Sequence, residues 1–245
     1  MVAKYFLIEL RLLFRKKVYL VLSILIPLCF YLLFTSILDL PKDAEQLFYK
    51  EYMYSMTAFS LSSFCLIQFP IDLINEKTTG WYKNLMRTPL HAYQYYSVKI
   101  FKMMFQFILS ITLIFVVAYI VNGVTMTLFE WIFSGFILWL GASSFLTVGI
   151  LLAQINEIQK ASSIGNILYL GLAVLGGLWF PVSQFPSWMR KIAYVTPTYH
   201  LKQVAYEFGN GVGLNYLSFL VLIIYSILFL AMGLIIQNRK DVDIW

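Results

Sequence analysis

Residues able to carry out chemistry are few in this chain, and their spacing matches no catalytic or metal-binding set. Its histidines are His91 and His200, its cysteines Cys29 and Cys65, and it has neither a CxxC pair nor an HExxH run. A structural zinc site draws about four nitrogen or sulfur ligands from such residues, so a metal centre has almost nothing to draw on. Both cysteines fall inside apolar runs, where a thiol is a small packing group rather than part of a disulfide framework. The phosphate-cradling pattern GxxxxGK[ST] is absent. No apolar run carries a charge in its middle, and Asp72 and Glu130 fall at run ends where water is available. An intramembrane acid-base relay or ion-coupling carboxylate is therefore not expected. A lipid-modifying enzyme would need a nucleophile, base and metal at one membrane interface, and no such set is visible.

What the chain offers instead is a segment suited to contact. Asn75 to Pro89 mixes both signs of charge with Trp81, Tyr82, Leu85 and Met86, and it ends at Pro89, a helix terminator. A tether has no use for apolar and aromatic residues on a short polar link. A docking element does, because apolar side chains fill a partner's groove while charges fix orientation. A helix resting on lipid would use Trp81 and Tyr82 equally well, and composition leaves both readings open.

The elements that must position this segment follow from solvation. Of the 245 residues 60% are hydrophobic and only 12% charged, with mean hydropathy +0.77, whereas a soluble domain devotes roughly a quarter of its residues to charge. Six separated apolar runs account for the difference, each close to the roughly 20 residues needed to cross about 30 Å of hydrocarbon. They cover residues 18–38, 52–71, 103–121, 131–153, 161–180 and 214–236. The expected fold class is all-α: one polytopic membrane domain over residues 1–245, with six transmembrane helices. With the N-terminus inside, thirteen Lys and Arg residues lie in inner segments and five in outer ones. The positive-inside rule and the even number of spans thus agree on two cytoplasmic termini. The net charge of +6 forms no single stripe, so it reads as topology and not as a nucleic-acid footprint. The first run is long for a signal peptide, and no small-x-small cleavage site precedes the acidic link.

Three further segments depart from plain spans or loops. Residues 1–17 form an N-terminal interfacial helix in this reading, with Val2, Phe6, Leu7, Leu10, Leu13 and Phe14 on one face and Lys4, Arg11 and Arg15 on the other; a plain basic flank is the alternative. Residues 181–208, between the fifth and sixth spans, hold Pro181, Pro186, Trp188, Tyr194 and Pro197 among apolar neighbours. Such a segment is expected to form short outer helices partly inserted in the membrane and packed on the bundle, or an aromatic-belt loop. Gly141, Ala142, Ser143, Ser144, Gly149, Ala173 and Gly177 permit close helix approach. Gln68, Gln106, Gln154 and Asn166 could bond across helices or line a cavity.

This layout resembles the permease subunits of type-2 ATP-binding-cassette exporters, the class of bacterial drug-export and polysaccharide-export permeases. The local match is the family's acidic-basic-x-x-Gly-Thr segment followed by Leu and Thr-Pro, which falls on Glu76, Lys77, Gly80, Leu85, Thr88 and Pro89; here Thr79 precedes the glycine and Trp81 follows it. A second match is Phe180-Pro181 with Pro186-x-Trp188, Tyr194 and Thr196-Pro197. The resemblance implies that residues 74–90, with Glu76, Lys77, Gly80, Trp81, Leu85, Thr88 and Pro89, form a cytoplasmic coupling helix held by an ATPase. It implies that Pro181, Pro186, Trp188, Tyr194 and Pro197 belong to an outer gate. It further implies two cytoplasmic ATPase subunits binding ATP and Mg, a second permease chain as homodimer or heterodimer, and a bacterial cytoplasmic membrane. This chain itself would carry no cofactor and no catalytic residue. The substrate expected is an amphipathic or hydrophobic drug, lipid, peptide or toxin. The rival reading is a membrane sensing or interaction protein that moves no solute.

Overall fold

A computed structural model describes residues 2–15, 17–37 and 41–242. Met1 and Lys16 of the expected 1–17 helix, Leu38 of the expected first span, the link residues Asp39 and Leu40, and residues 243–245 lie outside the described residues. The described chain is helical with no strand: α1 (Val2–Arg15), α2 (Lys17–Ile37), α3 (Lys42–Ser63), α4 (Phe69–Thr78), α5 (Trp81–Leu85), α6 (Ala92–Asn122), α7 (Leu128–Ser143), α8 (Leu146–Leu152), α9 (Ile158–Leu175), α10 (Ser187–Ala193), α11 (Pro197–Gly209) and α12 (Tyr216–Val242). Among the described residues, six helical stretches are long and apolar enough to cross a membrane. The protein is an all-α polytopic membrane protein. Consecutive stretches run back and forth, which gives the bundle two ends: one with α1, α5 and the start of α6, the other with α10 and α11.

The stretches differ from the expected ones because several helices continue through their charges. The second runs over Ala44–Thr78 rather than 52–71, and the third over Ala92–Asn122 rather than 103–121. Residues 72–102 are thus no long polar connection: only residues 79–91 link the two helices, and Lys99 and Lys102 are buried in α6. The fourth stretch, Leu128–Leu152, is interrupted between α7 and α8, and the fifth stops at Leu175, short of Phe180. The second stretch is 83% buried against 22% for the first and fifth and 17% for the sixth. It is therefore the central helix, while the first, fifth and sixth stretches leave most of their apolar surface for lipid or another chain. A helix apolar all round is stable only in such a setting.

The central helix is not regular. Residues Phe64–Gln68 form a π-helical turn between α3 and α4, a geometry that inserts one extra residue and changes the facing of everything beyond it. Small residues of two neighbours meet this turn. A side chain at Gly149 would begin 2.5 Å from the Cys65 carbonyl oxygen, and one at Gly165 would collide with the Leu66 carbonyl oxygen. Backbone cannot swing aside as a flexible side chain can, so overpacking here is felt in full. Gly165→Val is expected to cost about 1–3 kcal/mol, read as a lowered midpoint in thermal unfolding of the purified protein, whereas Gly171→Val, at a site with open space, serves as the matched control.

Candidate functional site

At the α5 end, five ionisable side chains from three helices form one chain of alternating charge. Glu76 of α4 pairs with Lys99 of α6, and Lys99 Nζ lies 2.7 Å from Glu9 Oε1 of α1. Glu9 Oε2 is 3.2 Å from Lys102 Nζ, which donates to Asp72 Oδ2 of α4 at 2.7 Å. Lys99 and Glu9 are 0% and 1% exposed at their side chains, whereas Asp72, at 30%, reaches the surface. Burial favours the neutral form of Glu9, but the adjacent Lys99 and Lys102 ammoniums more than offset it and hold the carboxyl below the ordinary carboxylate value. Lys99 and Lys102 stand three residues apart in α6, hence on one helix face, and that face receives α1.

The helix α1 is placed by this arrangement. Its buried residues are Tyr5, Glu9 and Leu13, one face at helical spacing, and they turn toward α6. Val2, Leu7 and Phe14, expected on the same face as Leu13, remain exposed. The helix therefore has two contact faces, a bundle face centred on Glu9 and an apolar face free for lipid, in place of a single apolar side. Apolar periodicity does not reveal the bundle face, because the residue at its centre, Glu9, is charged.

The segment of residues 74–90 is a helix end, a turn and a short helix. Gly80 has φ +77°, the left-handed conformation that glycine adopts without a Cβ penalty, and it reverses the chain between α4 and α5. Glu76 faces the bundle: Lys99 holds one oxygen, and the Tyr95 hydroxyl donates to the other at 2.6 Å. Tyr95 also meets Tyr5 of α1 at 6.2 Å and Tyr82 of α5 at 4.9 Å between ring centroids. Leu85 and Met86 are half-buried against the core, while Lys77, Trp81, Lys83, Asn84, Arg87, Thr88 and Pro89 are exposed. The Thr88 hydroxyl donates to the Leu85 carbonyl at 2.6 Å, closing the turn before Pro89. The segment thus has an inner side tied to α1, α4 and α6 and an outer side that is polar around one exposed tryptophan.

At the other end, α11 is inserted among α3, α7 and α12, with Thr198, His200, Leu201, Lys202, Val204 and Ala205 buried. Its polar groups satisfy the end of α9: the Thr198 hydroxyl donates to the Leu172 carbonyl at 2.8 Å, and Lys202 Nζ donates to the Gly177 carbonyl at 3.2 Å and to Glu51 Oε1 of α3 at 3.0 Å. His200 Nε2 sits 2.9 Å from the Tyr194 carbonyl, which can only accept, so this nitrogen carries the proton and Nδ1 faces the Ser218 hydroxyl. Burial pushes the His200 pKa down, opposed by that carbonyl. Pro181, Pro186 and Pro197 mark the starts of the 182–184 turn, α10 and α11, and Tyr194 closes α10. Trp188 projects outward, 64% exposed. Four of these five residues are element boundaries, and Trp188 is an exposed residue within α10. The rings that meet at this end are Phe30 and Phe34 of α2, Phe59 of α3, Tyr169 of α9, Trp179 and Phe180, with Phe59 and Tyr169 stacked at 4.5 Å and Phe34 and Phe180 edge-on at 6.2 Å.

Of the residues expected to carry function, Glu76 alone lies in the charge chain. Glu9, Asp72, Lys99, Lys102, Lys202 and the aromatic cluster were missed as site residues. A signal existed in Gln68, Asp72 and Asn75-Glu76, polar residues at helical spacing on a stretch otherwise apolar enough to span. Gln68 lines a cavity with them, Gln154 donates to the Gly233 carbonyl at 2.6 Å, Gln106 is fully buried and Asn166 is exposed.

Two comparisons with known proteins bear on this arrangement. The family model described as "ABC-2 family transporter protein" matches residues 37–235. The chain is also 30% identical over 233 residues, 95% of each chain, to a Bacillus subtilis (strain 168) protein described as "Putative transport permease YvfS".

Proposed function

The chain belongs to the ABC-2 family of transporter proteins, and we propose that it is the permease subunit of an ATP-binding-cassette exporter for an amphipathic or hydrophobic substrate. In this reading the bundle forms the membrane pathway, and ATP with Mg is bound and hydrolysed by two separate cytoplasmic ATPase subunits. A second permease chain, identical or related, completes the pathway. The α5 end with both termini faces the cytoplasm of a bacterial cell, and α10 and α11 face outward as the partly inserted outer helices.

The observation that carries this reading is the two-sided segment after Gly80. Its exposed side, Trp81 with Lys83, Asn84 and Arg87, offers an apolar anchor ringed by polar groups, the composition of a docking hot spot. Its inner side grips the bundle through Tyr82 on Tyr95 and Glu76 on Lys99. Displacement of α5 by a closing ATPase dimer then moves α4, α6 and α1 as one unit. In this reading the rings of α2, α3 and α9 at the far end form the outer closure that the second state opens. The permease thus makes no covalent bond; it changes access and relative substrate affinity between two states, with the difference supplied by nucleotide linkage.

The test is isolation of the tagged chain from native membranes in mild detergent. A stoichiometric ATPase is expected to accompany the wild type and to be lost, by about tenfold or more, from Trp81→Glu, with membrane insertion unchanged. Gly80→Val, which forces a β-branched residue into the left-handed region, should retain insertion and lose nucleotide-driven transport. A wild-type chain that carries no ATPase would favour the sensing role. Labelling of Lys83 from outside the cell by a membrane-impermeant amine reagent would invert the proposed topology.

A further inference from the structure

Between α8, α9, α12 and the corner where α10 meets α11 lies a cavity of about 330 Å³, within the range of about 300–1,000 Å³ that small-ligand sites occupy. It opens at the break in the fourth stretch: Ser144 and Phe145, the residues between α7 and α8, line it with Val148 of α8 and Leu168 of α9. Ile192 and Val195 line it from the corner, and Tyr225 and Phe229 from α12. The side-chain donors of this wall are three hydroxyls, and each is committed within the protein. Ser144 donates to the Gly141 carbonyl at 2.6 Å, Thr196 to the Ala193 carbonyl at 2.8 Å and Tyr225 to the Val195 carbonyl at 2.7 Å. A charged or donor-rich guest would therefore be buried without a matching partner, which costs free energy. An apolar guest gains the dispersion contacts that an empty apolar cavity forgoes. Since α9 and α12 belong to the fifth and sixth stretches, 22% and 17% buried, the hydrocarbon at hand is an acyl chain of the bilayer.

What the head of such a lipid would meet is set by α10. This helix carries Arg190 and Lys191 and no acid, and the chain has no acidic residue between Glu157 and Glu207. Arg190 is engaged by the fold, with Nη2 donating to the Ser183 and Phe185 carbonyls at 3.0 and 3.1 Å. Lys191 is exposed and pairs with no described residue, so its ammonium is open to an anion. It stands next to Ile192 and four positions before Val195, both of which line the cavity. Trp188, 64% exposed, lies four residues before Ile192 on the same helix face, and tryptophan favours the headgroup level of a bilayer. An apolar slot, a free cation and an interfacial indole thus adjoin, as the tail and phosphate of one phospholipid require.

We propose that this cavity seats an acyl chain of an anionic phospholipid whose phosphate pairs with Lys191. The site needs only a chain that spans a bilayer; neither an ATPase nor a direction of transport enters. A lipid held there braces the α10–α11 corner against α8, α9 and α12, along the seam that Tyr225 bridges through the Val195 carbonyl.

The experiment places the full chain in phosphatidylcholine nanodiscs with a trace of phosphatidylglycerol or phosphatidylcholine bearing a mid-chain diazirine, and maps the label by peptide mass spectrometry after irradiation. Val148 and Leu151 of the cavity wall are expected to take about fivefold more label from phosphatidylglycerol, the worth of one basic side chain at an anionic headgroup. The groove between α6 and α7, lined by Ile108, Val116 and Phe136, lies in a stretch without Lys or Arg from residue 103 to 159 and should take both labels equally. Lys191→Gln should bring the cavity ratio to that of the groove without lowering the phosphatidylcholine label. Leu168→Trp, which overfills the cavity, should cut its label from both lipids by about tenfold and leave the groove unchanged. Lys191→Gln, at an exposed position, keeps the test decisive should the tryptophan disturb folding. Equal label from both lipids in the wild-type cavity, or a preference that survives Lys191→Gln, would overturn the proposal. So would cavity label unaffected by Leu168→Trp in protein with the wild-type helical spectrum and elution volume. Absence of cavity label from either lipid would do the same, since the space would then be filled by protein.

Discussion

Glu9→Ala is expected to lower the stability of the purified protein by about 3 kcal/mol, the lower part of the range for breaking a buried ion pair, and to abolish nucleotide-driven transport. The side chain is 1% exposed and stands between two lysines whose side chains are 0% and 6% exposed. Its removal leaves each ammonium with one carboxylate, Glu76 for Lys99 and Asp72 for Lys102, so the loss is less than that of a lysine stripped of all partners. Among the described residues it also leaves α1 held by apolar contacts such as Tyr5 on Tyr95 and the packing of Leu13. Glu9→Gln keeps the volume and one acceptor and should cost less. The acid dependence follows from the lowered pKa of Glu9. A carboxyl bound more tightly as its anion in the folded state contributes stability above its unfolded pKa, and that contribution is lost as pH falls through the lower folded value. The wild-type thermal midpoint should therefore decline below about pH 4.5, the ordinary carboxylate value, and Glu9→Gln should show a shallower decline. A Glu9→Ala protein as stable as wild type at pH 7 would remove the charge chain from any account of how α1 is held.

What could be read from the residues, and what could not, divides along range of interaction. The six crossings were legible because long uncharged stretches must hide their peptide groups in hydrocarbon as helices, a requirement each stretch meets by itself. Pro89 as a terminator was legible for the same reason, since it is local backbone chemistry, but the break at Gly80 was not: residues 74–90 were expected as one helix and are two, parted by a glycine in the left-handed region. The ends of the second and third stretches were misplaced because Asp72, Glu76, Lys99 and Lys102 look like loop residues until their partners are known. Those partners lie 23 to 93 positions away in the chain. Charge ends a span only where it must reach water; a lysine neutralised from a neighbouring helix lets the helix continue. Lys202 is the extreme case, with its carboxylate partner 151 positions away, beyond the reach of any local pattern. The π-helical turn left no mark in local composition. Its consequence, the facing of Gln68 toward a cavity, is a matter of where an extra residue is accommodated under packing by Gly149 and Gly165.

Glu51→Leu is expected to be more damaging than Lys202→Met, although the two substitutions break the same ion pair. The Lys202 side chain is 2% exposed and that of Glu51 is 26% exposed. Removing the carboxylate leaves a buried ammonium with the Gly177 carbonyl as its remaining hydrogen-bond acceptor, at a cost of about 3–5 kcal/mol. Removing the ammonium leaves a carboxylate that reaches solvent, and the straight apolar chain of methionine fills the space of the lysine stem, so about 1–2 kcal/mol should suffice. The double variant Glu51→Leu with Lys202→Met takes away both charges and should recover much of the loss, because a buried pair replaced by apolar side chains is close to neutral. Stability would be followed by loss of helix signal with increasing denaturing detergent. Transport separates two roles for the pair. Lys202 holds the carbonyl after α9, next to Trp179 and Phe180, so a pair that only stabilises the fold predicts a stable double variant that transports normally. If the pair also sets the position of the aromatic closure, the double variant will be stable yet leak substrate without nucleotide, since the rings of α2, α3 and α9 then lack the clamp that aligns them.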